Sequence, residues 1–452
     1  MTPIEFKRVA RTFARFHHRF ARLFGRKEAR RHSEQYVRGL LVQQADRRNA
    51  ENLAEAVDGA TPRALQRFLT EAPWPSEPVR QELHAYLAEQ LNTPDGSWVL
   101  DDTGFPKQGK RSVGVARQYS GTLGKVGNCQ VGVFLAYVSE RGHALVDGEL
   151  YLPREWTDDP PRCRQAGVPE EVGFRTKTDL ALALLRRAKV FDQWTTRWVT
   201  ADEAYGQVPS FRDALAEDGY WYVLEVPCTT PVFRQPTAVA VPPWTGRGRK
   251  PARPRVVPDS SPPQPVQAVA AALTEPWTQV VVAEGAQGPR AYQVTARRVW
   301  ESRGRLPGRE CWLVLRRNLD GSELKYYLSN APADALLATL ARVGAWRWSI
   351  ETEFQMEKRE SGLDEYEVRS WQGWHHHITL ALLAGAFLLT LEQEWGKKAA
   401  PAHPAPGQPR AAGTAAPADL DPCRTRLLVA RHPASQRSCQ AFPRQTPLTH
   451  AA

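Results

Sequence analysis

The spacing of apolar positions changes period twice along the chain. Near the N-terminus Phe6, Val9, Phe13, Phe16, Phe20 and Leu23 recur every three or four residues, the repeat that lines one face of a helix. Residues 28–94 continue as helices. In "NAENLAEAVDGATPRALQRFL" (49–69), Gly59 suits a helix end, Thr61 the next cap and Pro62 the first turn after it. That break is compatible with a helix-turn-helix and equally with plain helical packing. From residue 97 the period becomes that of strands. "SWVLDD", "VARQYSG" (115–121), "NCQVGVFLAYVSE" (128–140) and "HALVDGELYLP" (143–153) alternate between Gly-containing turns. A helix "TKTDLALALLRRAKV" (176–190), a strand "RWVTAD" (197–202), a helix around 209–218 and a strand "GYWYVLEVP" (219–227) follow. This order predicts one mixed sheet with helices packed on it.

Composition then alters the picture at two places. Residues 232–276 turn to Pro, Ala, Val and Arg, which predicts an exposed, irregular linker opening a strand-rich insertion over 228–332. Strand pieces resume at 277–285, 290–300, 311–318 and 324–330, and helical spacing at about 333. Beyond Trp395 an Ala/Pro-rich segment, 396–452, predicts a disordered tail. The expected organisation is a helical region over 1–94, a core over 95–227 and 333–395, and the insertion between them.

Charge narrows the partner. Sixty Lys and Arg against 49 Asp and Glu give +11, and the excess is clustered. Residues 1–34 hold ten basic and three acidic side chains, and "GRGRKPARPR" (246–255) holds five basic and no acidic ones. Clustered cations favour a polyanion, although the same charge also serves solubility. The six cysteines form no CxxC pair and no zinc-like spacing, which predicts a reducing compartment and no structural metal. The longest apolar run, "ITLALLAGAFLLTL" (378–391), is 14 residues, short of the roughly 20 needed to span a bilayer. No signal-peptide core precedes the helices, although the Arg-rich start resembles a transit peptide in composition. A soluble intracellular protein without a membrane partner is expected.

Three acids stand out against this frame. On an extended strand Trp98, Leu100 and Asp102 share one face and Val99 and Asp101 the other, so only one acid of the Asp101–Asp102 pair points directly into a given site. Asp202 ends a second strand where a turn with Gly206 leads into a helix. In "GAWRWSIETEFQMEK" (344–358), Arg347, Glu351, Phe354 and Lys358 fall along one helix face about 16 Å long. An exposed helix with an Arg347–Glu351 ion pair accounts for that spacing as well. His375, His376 and His377 are adjacent on a helix and face different ways, so they read as a polar helix start rather than as a chelate.

Together these blocks resemble the insertion-sequence DDE transposases, the ribonuclease-H-like class whose glutamate helix carries a Tyr-x2-Arg-x3-Glu-x6-Lys signature. "RWSIETEFQMEK" supplies Arg347, Glu351 and Lys358, and "LDDTGFPKQGKRSVGVARQYSGTLGKVGNCQVGVFLAYVS" and "WVTADEAYG" resemble the blocks around the two aspartates. The signature's Tyr falls on Gly344, so that contact is either absent or supplied elsewhere, by Trp346 or Trp348. The resemblance spans roughly 95–390. It implies an α/β fold, a ribonuclease-H-like mixed sheet with flanking helices, a strand-rich insertion before the glutamate helix and an N-terminal all-helical region.

It further implies Asp102, Asp202 and Glu351 as catalytic and metal-ligating residues, with Asp102 shared by two Mg²⁺ ions and Mn²⁺ able to replace them. No organic cofactor is expected. Arg347, Lys358, Lys107, Lys110 and Arg111 are the expected phosphate contacts, Trp348 a platform for an unpaired base, and Arg247 and Arg249 minor-groove contacts. The implied activity is cut-and-paste transposition by a homodimer on paired inverted repeats and target DNA, in the cytoplasm at the nucleoid. A metal-dependent nuclease without strand transfer and a non-catalytic DNA-binding descendant are the rival readings.

Overall fold

The computed structural model describes residues 3–42, 47–257, 260–283 and 289–399. The expected tail lies, beyond Ala399, outside them, as does the side chain of Phe6. Among the described residues the chain divides into two compact units, one within residues 3–79, 357–368 and 372–399, the other within 80–356 and 369–371.

The first unit is helical, with helices at Pro3–Ala21, Lys27–Val42, Ala50–Ala56, Pro62–Thr70 and Trp371–Ala399 among its described elements. The N-terminal stripe packs as its period requires, with Val9, Phe13, Phe16 and Phe20 all buried. Each such Phe contributes roughly 1.5–3 kcal/mol of transfer free energy. Phe13 and Phe16 meet Phe387 of the long last helix at ring-centroid distances of 5.2 and 5.4 Å. That helix is long and apolar enough to cross a membrane, but its apolar window is 94% buried, which makes it a core helix. Thr61 caps the Pro62–Thr70 helix by accepting the N–H of Ala64, as its sequence predicts.

The histidines at its start serve this packing. The ring nitrogens of His376 lie 2.8 and 2.9 Å from the carbonyls of Leu69 and Trp74, and those of His377 lie 2.9 and 3.1 Å from Tyr36 Oη and the Gly362 carbonyl.

The second unit is built on one mixed sheet. Its strands are β1 (Ser97–Pro106), β2 (Ala116–Ser120), β3 (Lys125–Ser139), β4 (Gly142–Tyr151), β5 (Trp198–Ala201) and β6 (Trp221–Glu225). The insertion adds β7 (Pro231–Phe233), a small separate pair β8 (Val239–Ala240) and β9 (Arg255–Val256), then β10 (Gln264–Pro265), β11 (Thr278–Ala283), β12 (Arg290–Arg303), β13 (Leu306–Arg317) and β14 (Lys325–Ser329). The order is β10-β7-β12-β13-β14-β6-β5-β1-β3-β2, so the insertion continues the core sheet through β14 beside β6. Strand β1 is central, antiparallel to β3 and parallel to β5.

Both faces of the extended sheet are covered. Val314 joins the Leu337–Ala345 helix in one apolar cluster, whereas its neighbours Leu313 and Leu315 join Val266 and Val269 of the Val266–Ala271 helix in another. The near-continuous apolar run of β13 follows from burial on two sides. Part of the segment expected to be an irregular linker is therefore core. Val232, Phe233, Val266 and Val269 are buried because they fill this sheet face, while residues 243–250, with Trp244, Arg247 and Arg249, are exposed.

Candidate active site

The sheet register brings the acids together. Leu100 of β1 pairs in parallel with Ala201, the last residue of β5, so Asp101 and Asp202 are the next residues on neighbouring strands. Asp202 closes β5 and caps the short Glu203–Gly206 helix, its Oδ1 accepting the N–H groups of Ala204 and Tyr205 at 3.0 and 3.3 Å. That turn is tight against β6. A Cβ on Gly206 would lie 1.9 Å from the carbonyl oxygen of Glu225, which only glycine permits.

The two β1 acids take different partners. Asp102 Oδ1 accepts from Lys177 Nζ at 2.8 Å and Oδ2 from the buried Tyr205 hydroxyl at 3.4 Å. Asp101 Oδ1 accepts the N–H of Asp102 at 2.7 Å, and Oδ2 faces Arg347 Nη1 at 4.0 Å. Asp101 thus addresses the glutamate helix. Burial, then the charges of Asp202 and Asp102, raise its pKa well above the carboxylate range. Burial raises Asp202 as well, with the Tyr205 N–H and Arg347 working against it.

Arg347 opens the glutamate helix, Arg347–Met356, and gathers three carboxylates. Its guanidinium lies 2.7 Å from Glu351 Oε1, 3.4 Å from Glu225 Oε2 and 4.0 Å from Asp101 Oδ2. Burial opposes its charge, but Glu351, Glu225 and Asp101 outweigh that and raise its pKa. Glu351 itself is exposed and turned to Arg347.

Two expectations for this helix need correction. Phe354 is buried, its ring edge-on to Phe134 at 5.4 Å, so it does not share an open face with Glu351. The α-helix also ends at Met356, where a π-helical turn, Glu357–Ser361, begins. Lys358 lies in that turn within the first unit, so the regular spacing of an α-helix does not extend to it.

Trp348 is half-buried, with the Arg290 guanidinium 3.9 Å above its ring and the His143 ring edge-on at 6.3 Å. One face of the indole is therefore already covered. His143 in turn bonds the buried Glu353. Lys110 and Arg111 are exposed in the turn after β1, and Lys107 is half-buried.

Sequence reasoning passed over Lys177, Tyr205 and Glu225. Tyr205 follows Asp202 by one helical turn in "ADEAYG", and Glu225 ends the strand "YWYVLE". Lys177 had a local signal in "TKTD", where a capping box frames a cation.

Among the described residues no group of three His, Cys, Asp or Glu side chains is already arranged as metal ligands. The donor chemistry nevertheless fits a hard divalent cation. Asp102, Asp202 and Glu351 offer carboxylate oxygens only, and the raised pKa values of Asp101 and Asp202 reflect burial first and repulsion among the neighbouring acids second, both of which a cation would offset.

A family described as DDE superfamily endonuclease matches residues 19–289, more than half of the chain and inclusive of both aspartate blocks. A probable transposase for insertion sequence element IS701 from Microchaete diplosiphon is 28% identical over 172 residues, 38% of this chain and 42% of the relative. The aligned region thus spans less than half the length of that relative.

Proposed function

The chain belongs to the DDE superfamily endonucleases, and from that premise we propose that it is a cut-and-paste DNA transposase. It would cleave at terminal inverted repeats and transfer the 3′-hydroxyl ends into target DNA. The observation that carries this reading is the register that sets Asp101 beside Asp202 on neighbouring strands, with Asp102 next along β1 and Arg347 reaching Asp101 and Glu351.

Asp102, Asp202 and Glu351 would hold two Mg²⁺ ions, with Mn²⁺ as a substitute. When bound, such a pair activates an attacking water or 3′-hydroxyl and stabilises the leaving oxygen. The chain's own groups do the positioning. Asp202 is fixed by two helix N–H groups, so its carboxylate is pre-oriented. Arg347 orients Glu351 and offsets the charge of Asp101. Lys107, Lys110 and Arg111 follow β1 in a turn suited to backbone phosphates, and Lys358 and Arg347 are further phosphate contacts. Trp348 stacks on a displaced base once Arg290 leaves its face, and Arg247 and Arg249 enter a minor groove from their exposed loop. The active form is a homodimer on paired ends, working in the cytoplasm at the nucleoid.

The test uses a supercoiled plasmid carrying the inverted repeats that flank the gene, a target plasmid, the full-length protein and MgCl₂. Excised and joined products are expected. Cleaved ends with no joined product would select a nuclease without strand transfer, and binding without cleavage a non-catalytic DNA-binding protein.

A further inference from the structure

Lys177 is the first residue of the Lys177–Phe191 helix, where exposed N–H groups and the macrodipole favour an acid over a cation. The surrounding cap obeys that rule. Thr176 Oγ1 accepts the N–H of Asp179 at 3.1 Å, and the Asp179 carboxylate accepts the N–H of Thr176 at 2.9 Å. The Lys177 ammonium, with its side chain 36% exposed, turns instead to Asp102 and stands 2.8 Å from Oδ1. Tyr205 takes the other oxygen. Asp102 is thus engaged on both oxygens by side chains of this chain.

Resting on the reading of Asp102 as a metal ligand, we propose that Lys177 is a resident counter-ion of Asp102 that a divalent cation must displace from Oδ1 in order to bind. On one carboxylate oxygen an ammonium at 2.8 Å and a divalent ion repel each other, and Mg²⁺ needs close octahedral contacts at about 2.0–2.1 Å, so the ion pair competes with the metal. Metal affinity is therefore lowered by the worth of the ion pair. The displaced ammonium becomes available to a phosphate, so metal and DNA binding reinforce one another.

The test is calorimetric titration of Mn²⁺ into the full-length protein without DNA. Lys177→Met is expected to bind Mn²⁺ roughly three- to fivefold more tightly than the parent, the value of a partly exposed ion pair. Lys177→Arg, which keeps the cation, is expected to show no gain. Lys177→Gln makes the same charge change should the Met variant misfold. Arg175→Met removes an exposed charge two residues earlier. If it tightens binding as much as Lys177→Met, the effect is diffuse charge and the proposal falls; equal or weaker binding by Lys177→Met also overturns it. Asp102→Asn separates the two levels. Unchanged Mn²⁺ binding there removes the ligand assignment itself, whereas loss of binding there with no gain in Lys177→Met removes only the counter-ion.

Discussion

Arg347 Nη2 lies 2.7 Å from Glu351 Oε1 one helical turn along, yet the glutamate side chain is 53% exposed while the arginine is 18% exposed. The arginine is therefore the anchored partner, held from behind by Glu225 and Asp101. Arg347→Met should cost about 1–3 kcal/mol in urea unfolding, because Asp101 loses its facing cation and Glu225 keeps only Lys325. Arg347→Lys should recover little of it, since a point ammonium does not span three carboxylates as a planar fork does. Full recovery by lysine would show that only net charge matters here.

Asp101 and Asp102 are adjacent but serve different neighbours, Arg347 and Lys177. With Asp102 as the ligand, Asp102→Asn should lower Mg²⁺-dependent cleavage by on the order of a thousandfold, equivalent to about 4 kcal/mol. Asp101→Asn should lower it by no more than about tenfold, through a less well held Arg347. A reversed order in single-turnover cleavage would move the ligand to Asp101, whose strand position beside Asp202 makes it the direct competitor.

Gly344 stands where the related signature has Tyr, and the reason is packing. A Cβ there would lie 3.2 Å from Val223 Cγ1 and 3.5 Å from the Tyr327 ring, because the Leu337–Ala345 helix rests directly on the sheet. Gly344→Tyr should destabilise the fold by about 3 kcal/mol and bring no gain in cleavage. Wild-type stability in that variant, measured by thermal unfolding, would mean the helix can lift off the sheet.

The strands and the N-terminal stripe were legible because each rests on local period or on strand alternation. What β1 faces was not. Alternation separates Asp101 from Asp102, but the partner of each comes from distant helices, Arg347 for one and Lys177 for the other. The burial of Val266 and Val269 was hidden by the Pro-rich composition around them, since the sheet face they fill is made by β13, far along the chain. The switch to a π-helical turn at Glu357 leaves no trace in residue spacing.

His17 gives the first unit a pH dependence. Its ring nitrogen lies 2.9 Å from Ser33 Oγ in the core, and burial, then the charges of Arg38 and His18, lowers its pKa from 6.5 to about 4. A depressed pKa means that the unfolded chain takes up the proton first. The stability is thus fully present above pH 6.5 and is lost as pH falls toward about 4, with a ceiling on the order of 3 kcal/mol. His17→Gln should flatten the fall in melting temperature across this window. Parallel profiles for the two proteins would remove His17 as the cause.

The opposite face of the N-terminal helix carries the clearest electrostatic prediction. Lys7, Arg11 and His18 on the helix and Arg22 in the turn just after it are exposed at steps of four, seven and four residues, while Val9, Phe13, Phe16 and Phe20 are buried behind them. Three cations in line along a helix match a run of phosphates, and each phosphate neutralised adds about 0.9 to the slope of log K against log salt. Replacing Lys7, Arg11 and Arg22 together with Gln should therefore reduce that slope for duplex DNA by roughly 2–3. The fold should be unaffected, because all three side chains are exposed. Fluorescence anisotropy across a salt series measures both quantities, and an unchanged slope would show that this face does not meet the DNA.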